Sequence, residues 1–276
     1  MDFSKMLIIA DIDGTLADKG QEMMPITRKA FQELHRRGAK LGVASGRPAS
    51  ETLIKRTECW DLGFKLDVIV GMNGGQLLDQ VSGKYEEFYK LKKEYIKEII
   101  EMMVPTGLNP FVYKTGYMLS QYLDERMSAS AIRNHEPAIP AKDISELWEE
   151  DNAKLLFRLP DDLSKVDEIV AFAKAHPKPY YQSFLTGPMM LEFQDPRVNK
   201  GLAVEKYCEE NGIDLKDVIA FGDATNDNEM LQVAGLGVCL KNGIPGTKAI
   251  ADVVMDYTCA EDGVGRYLFE NYLDKE

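Results

Sequence analysis

The chain has 276 residues, 45% hydrophobic and 28% charged, and its 33 basic against 45 acidic side chains leave a net charge of −12. That length allows one large or two ordinary domains, and the composition is that of a globular protein rather than a disordered or fibrous one. So acidic a surface repels phosphate backbones and anionic bilayers; nucleic acid and membrane are excluded as partners, no protein partner is implied, and an anionic substrate needs a local cation. No apolar run approaches about 18 residues, and the apolar stretch near the N-terminus is too short for a signal peptide and ends in acids. Cys59, Cys208, Cys239 and Cys259 are widely spaced with no C-x-x-C pattern. They fit reduced thiols in a cytoplasmic protein better than disulfides or a zinc site.

Residues 6–10, MLIIA, form an unbroken apolar run, as expected of a strand buried on both faces. Thr27 is expected to cap a helix carrying Ala30, Phe31 and Leu34, with Gly38 as its stop. A second strand is expected over residues 39–44, a second helix near Pro48, and a third strand over residues 67–72, ending at Asn73-Gly74-Gly75. Alternation of strand and helix implies a parallel sheet with crossover connections. From Leu78 the pattern changes to short strands in KYEEFYKL, PFVYK, YMLSQYL, KLLFRL, PYYQSFL and MMLEFQ, interrupted by helices near residues 92–104 and 164–175. The first pattern returns at Lys200, with a helix ending near Gly212, a strand in DVIAFGDATND and a further strand in GLGVCL. The expected fold class is therefore α/β: a Rossmann-like core over residues 1–77 and 194–276, interrupted by an α+β domain over residues 78–193.

A parallel sheet presents its reactive groups at the C-terminal ends of its strands. Asp11 and Asp13 follow the first strand, Ser45-Gly46-Arg47 the second, Asn73 the third, and Asp223, Asn226 and Asp227 a later one. Lys200 opens a helix, where the helix dipole disfavours a cation and a reason for its presence is needed. If the strands are neighbours, the acids converge, and two carboxylates ~5 Å apart repel by roughly 3 kcal/mol at an effective dielectric near 20. An oxygen-rich cluster of this kind suits magnesium. Carboxylates, a hard cation, a lysine and a hydroxyl together suit a phosphoryl group. His35, His135 and His176 fit no motif and are expected at the surface.

The motifs DIDGTL (from Asp11), ASGR (from Ala44), NKG (from Asn199) and GDATNDNEML (from Gly222) stand in order across nearly the whole chain. In this the sequence resembles the haloacid dehalogenase superfamily, and in particular its Cof-type phosphatases with a type IIB cap. The resemblance implies that Asp11 is the nucleophile forming an aspartyl-phosphate, and that Asp13 is the general acid and base. It implies that Asp11, the backbone carbonyl of Asp13, and Asp223 hold magnesium. Ser45, Gly46, Arg47, Lys200 and Asn226 would bind substrate, while Asp227 and Asn73 would support them. The activity implied is hydrolysis of small phosphorylated metabolites, with sugar phosphates foremost. A phosphomutase using the same intermediate, or a non-catalytic binder of phosphorylated metabolites, are the alternatives. The chain departs from many relatives in having Asn199 just before the lysine, and Pro196 upstream of it.

Overall fold

The computed structural model describes residues 2–18, 22–186 and 189–274. In chain order the first elements are β1 (Leu7–Asp11), α1 (Pro25–Arg36), β2 (Lys40–Ala44), α2 (Glu51–Glu58), β3 (Val68–Gly71), β4 (Gln76–Asp79) and β5 (Tyr85–Glu87). Every residue of β1 and β3 is buried, as continuous apolar runs require in a covered sheet. Helix α1 begins at Pro25, not at Thr27, because a proline needs no partner for a missing N–H and has its φ preset for the first turn. Thr27 is instead buried inside the helix, where its Oγ1 donates to Asp262 Oδ1 at 2.6 Å. Asp262 supplies the cap from a distance, accepting from the Ile26 and Thr27 backbone N–H groups.

The inserted stretch carries α3 (Lys93–Met103), β6 (Pro110–Lys114), β7 (Tyr117–Ser120), α4 (Glu125–Asn134), β8 (Ala138–Pro140), β9 (Lys154–Arg158), α5 (Leu163–Lys174), β10 (Gln182–Leu185) and β11 (Met190–Gln194). Helix α4 and strand β8 are absent from the sequence expectation. The chain returns through α6 (Lys200–Asn211), β12 (Val218–Gly222), α7 (Asn228–Val233), β13 (Leu236–Cys239), α8 (Pro245–Ile250), β14 (Val253–Val254) and α9 (Gly263–Leu268).

The first sheet has the order β14-β13-β12-β1-β2-β3-β4-β5. Pairing is parallel from β14 to β3, whereas β4 folds back antiparallel on β3. The chain moves outward from β1 through β2 and β3, then returns to the other side of β1 at β12. This reversal of strand order makes the C-terminal ends of β1 and β12 the natural site for a ligand.

The second sheet has the order β10-β11-β9-β6-β7-β8. One of its faces packs the apolar stripes of α3 and α5, with Val112, Leu155, Phe157 and Phe193 in the contact. The two compact units comprise residues 1–49, 53–86 and 199–276, and residues 50–52 and 87–198. The division falls later than residue 78 because β4 and β5 extend the first sheet. It falls later than residue 194 because Gln194 Nε2 donates to the Val198 carbonyl at 2.7 Å, tying that stretch to the second unit. Among the described residues no helix is long and apolar enough to cross a membrane. The three histidines are exposed, and the four cysteines are free thiols.

Candidate active site

Strand β1 ends in Asp11, whose parallel neighbours are β12 and β2. Their chain continuations therefore leave the sheet beside it: Asp223 follows β12, and Ser45 follows β2. Asp11, Asp223 and Asp227 each bring a carboxylate oxygen to within 4.8 Å of the others. Lys200, the first residue of α6, is fully buried, with Nζ 2.5 Å from both Asp11 Oδ1 and Asp227 Oδ1. That is the reason for a lysine at an unfavourable helix end: two buried carboxylates outweigh the dipole.

The second oxygen of Asp227 is also occupied, accepting from the backbone N–H groups of Asp223 at 2.9 Å and Ala224 at 3.0 Å. Asp227 is thus a fully engaged, fully buried brace between Lys200 and the loop bearing Asp223. Asp223 Oδ1 accepts from Thr15 Oγ1 at 2.9 Å. Its Oδ2 lies where a Cβ on Gly14 would come within 2.7 Å, so only glycine, at φ +96°, lets that turn close on the acid.

Three carboxyl groups share one ammonium here. Burial disfavours the charge on Lys200, but Asp11 and Asp227 more than offset it and its pKa is raised. Burial drives the Asp11 carboxyl well above the usual carboxylate range; Lys200 opposes this, while Asp227 and Asp223 add to it. Burial and then Asp227 push Asp223 to about 6. The set is short of positive charge and consists of hard oxygen donors, which fits a small divalent cation. Asp227 is spoken for by Lys200 and two backbone N–H groups, so Asp11 and Asp223 have the oxygens to hold such an ion.

The Asp13 carboxylate does not join this cluster. It is half exposed and gripped by two arginines, with Arg56 Nη2 2.9 Å from Oδ1 and Arg47 Nη2 3.2 Å from Oδ2. Burial alone would raise its pKa, but Arg56 and Arg47 hold it below the usual range. Ser45 is buried, and its Oγ accepts from the Arg47 backbone N–H at 3.1 Å across the turn that contains Gly46. Asn73, at φ +55°, donates its backbone N–H to the Ser45 carbonyl at 3.0 Å. Asn226 Nδ2 in turn donates to Asn73 Oδ1 at 3.2 Å. The residues singled out in the sequence are therefore gathered at one end of the first sheet, within the first unit.

Sequence reasoning missed three supports. Arg56 lies on the stripe of α2 that buries Leu53 and Thr57, so helical spacing could have marked it as an inward-facing charge needing a partner. Asn242, just past β13, donates to the Gly14 carbonyl at 2.9 Å and accepts from the Cys259 backbone N–H at 2.7 Å; the strand end was its only signal. Gly74, at φ +99°, packs so tightly on the start of α6 that a Cβ there would lie 1.9 Å from the Asn199 carbonyl oxygen.

Known proteins share the sequence pattern and the fold. A phosphoglycolate phosphatase from Methanopyrus kandleri is 28% identical over 98% of this chain and 97% of its own length. A haloacid dehalogenase-like hydrolase from Bacteroides thetaiotaomicron superposes with a TM-score of 0.83 at 24% identity, covering 97% of this chain and 99% of its own. A subclass IIB sugar phosphatase of the same superfamily superposes at 0.80 with 20% identity, covering 96% and 98%. The family model for haloacid dehalogenase-like hydrolases matches residues 8–268, nearly the full chain. With motifs, fold and family model in agreement, this chain belongs to the haloacid dehalogenase-like hydrolases.

Proposed function

We propose that this hydrolase is a magnesium-dependent phosphatase acting on small phosphorylated metabolites through an aspartyl-phosphate on Asp11. The observation that carries the reading is the cluster of Asp11, Asp223 and Asp227 around one buried lysine at the end of β1. An Asp11 oxygen attacks phosphorus while the bond to the leaving oxygen breaks. Asp13 gives that oxygen a proton, then takes one from the water that attacks the aspartyl-phosphate, returning Asp11 and free phosphate. Its grip by Arg56 and Arg47 favours the ionised form, which suits the second step, and the proton it takes from water there is the one it gives to the leaving oxygen of the next turnover. Lys200, Ser45 and Asn226 hold the phosphoryl oxygens, Asp227 keeps Lys200 aimed, and Asn73 braces Asn226. Arg47 and Gly46 form the turn that carries Ser45 to the site. Asp11, Asp223 and the Asp13 backbone carbonyl would hold magnesium, which when bound would supply counter-charge to the phosphoryl group.

The inserted unit is assigned the choice of substrate, since it folds around its own core. A relative is named for phosphoglycolate and a structural neighbour for sugar phosphates, so a compact monoester is the common denominator and a sugar phosphate the first to try. The acidic surface supports metabolites over nucleic acid, and the unpaired thiols support a cytoplasmic setting. The test is phosphate release from a panel of sugar phosphates, phosphorylated acids and nucleotides, with magnesium and with chelator. Magnesium-dependent release of free phosphate from compact esters is expected. Isomerised ester without free phosphate would indicate a mutase, and release undiminished in chelator would overturn the metal's role.

A further inference from the structure

Strand β9 alternates in character. Leu155 and Phe157 join the apolar core under α3 and α5, which leaves Lys154, Leu156 and Arg158 on the opposite face of the second sheet. Helix α4 lies over that opposite face. Its Asn134 Nδ2 donates to Tyr113 Oη at 3.3 Å, and Lys154 Nζ sits 5.9 Å from the centroid of the same Tyr113 ring. This face is polar but mostly paired: Lys154, for example, is buried against Glu192 at 2.8 Å.

Arg158 is the exception. It is only 9% exposed, and its buried Nε has no hydrogen-bond partner among the described residues. A buried guanidinium donor without an acceptor is costly, and such groups are normally satisfied by protein, water or ligand. Two further buried hydroxyls on this side of the sheet, on α4 and beyond β10, lack partners among the described residues. Ser130 Oγ lies on the buried side of α4, fully enclosed. Thr186 Oγ1 belongs to the residue whose N–H bonds the Met190 carbonyl, and Met190 is the cross-strand partner of Arg158, so the three form one row across the sheet.

More positive charge converges from α4. Arg126 and Arg133 are two turns apart and share a helix face with Ser130. Burial, and then the charges of Arg133 and Arg126, lower the pKa of Arg158, while Asp161 and Asp124 only partly compensate. Those acids are weak counter-ions. Asp124 already accepts from the Met127 N–H at 2.7 Å and from Asn109, and Asp161 is largely exposed, 3.9 Å from Arg126. Glu136 Oε2 is also buried without a donor, while its other oxygen accepts from Ser50 at 3.0 Å.

We propose that Arg158, Arg126 and Arg133, with the Ser130 and Thr186 hydroxyls, form an anion-binding site within the inserted unit, for a phosphate or carboxylate group. The group comes either from a second anionic substituent of the substrate or from a free anion in solution. Only the first source rests on the phosphatase reading.

The test begins with the full-length protein in chelator, labelled with ¹⁵N-arginine, and inorganic phosphate as the probe. The Arg158 Nε–H resonance, assigned by its loss in Arg158→Lys, is expected to shift saturably with phosphate but not with chloride at matched ionic strength. In Arg126→Gln/Arg133→Gln the apparent dissociation constant is expected to weaken at least tenfold. Both replaced side chains reach solvent, and circular dichroism verifies that the double variant folds. No saturable shift at Arg158, or an equal shift with chloride, overturns the site whether or not the protein hydrolyses any ester. The source is then read from kcat/KM for esters with and without a second anionic group. A loss confined to doubly anionic esters in the double variant assigns the site to substrate. Unchanged selectivity with phosphate binding weakened assigns it to a free anion, and both results uphold the site.

Discussion

Gly74→Ala tests how the fold delivers Lys200 to the carboxylates. The glycine has φ +99°, a conformation that costs an L-residue about 1–2 kcal/mol. Its missing Cβ would lie 1.9 Å from the Asn199 carbonyl oxygen and 3.0 Å from the Lys200 nitrogen. These are backbone atoms, so no side-chain rotation relieves the overlap, and overpacking of this kind costs typically 1–3 kcal/mol. The sum is roughly 2–5 kcal/mol of stability, and the relief available is movement of the first turn of α6. Lys200 Nζ stands 2.5 Å from two carboxylates, so a shift of a few tenths of an ångström degrades both contacts. If about 2 kcal/mol of that is lost from the transition state, turnover falls roughly thirtyfold. Guanidinium denaturation and steady-state kinetics on one good ester measure the two effects. A variant within about 0.5 kcal/mol and twofold of wild type would refute the argument that this close approach positions the lysine.

The remaining predictions concern the charges. Asp223→Asn is expected to raise the magnesium concentration for half-maximal activity at least tenfold, measured by titration of the chelated enzyme; an unchanged requirement contradicts the ligand assignment. The same variant carries a pH signature. The Asp223 pKa is about 6 in the folded protein, above the ordinary carboxylate value, so the folded state holds its proton longer than the unfolded chain does. The group's contribution is therefore favourable at acid pH and is lost as pH rises from about 4 to 6. In chelator, the stability of wild type relative to Asp223→Asn should fall across that window, and a rise would contradict the burial argument. Arg56→Gln removes two bonds to Asp13 and is expected to lower kcat about tenfold or more with KM within about threefold, whereas a loss confined to KM would show that Arg56 serves binding instead.

Much of the site was legible because strand ends and motif spacing are local features. Continuous apolar runs at residues 6–10 and 218–221 mark doubly covered strands, and the acids that follow them have to emerge at one edge of a parallel sheet. The pairing of Lys200 with Asp227 was less visible: it depends on α6 and the loop after β12 being packed side by side, which no periodicity encodes. Helix α4 escaped notice because its buried residues, Met127, Ser130 and Asn134, include two polar ones, so its apolar stripe is weak. Thr27 looks like a cap in sequence, whereas the carboxylate that caps the start of α1 comes from Asp262, 235 residues away. The parallel pattern ends near residue 78, yet β4 and β5 continue the first sheet after the chain reverses.

The central claim is that the buried carboxylate at the end of β1 takes up the phosphoryl group. Acid quenching of the enzyme during steady turnover, with rapid proteolysis and mass spectrometry, measures this directly. The account predicts a phosphoryl adduct on the peptide bearing Asp11, sensitive to hydroxylamine, and no adduct or turnover in Asp11→Asn. Turnover by Asp11→Asn at more than about a hundredth of the wild-type rate, or an adduct on another residue, would contradict it.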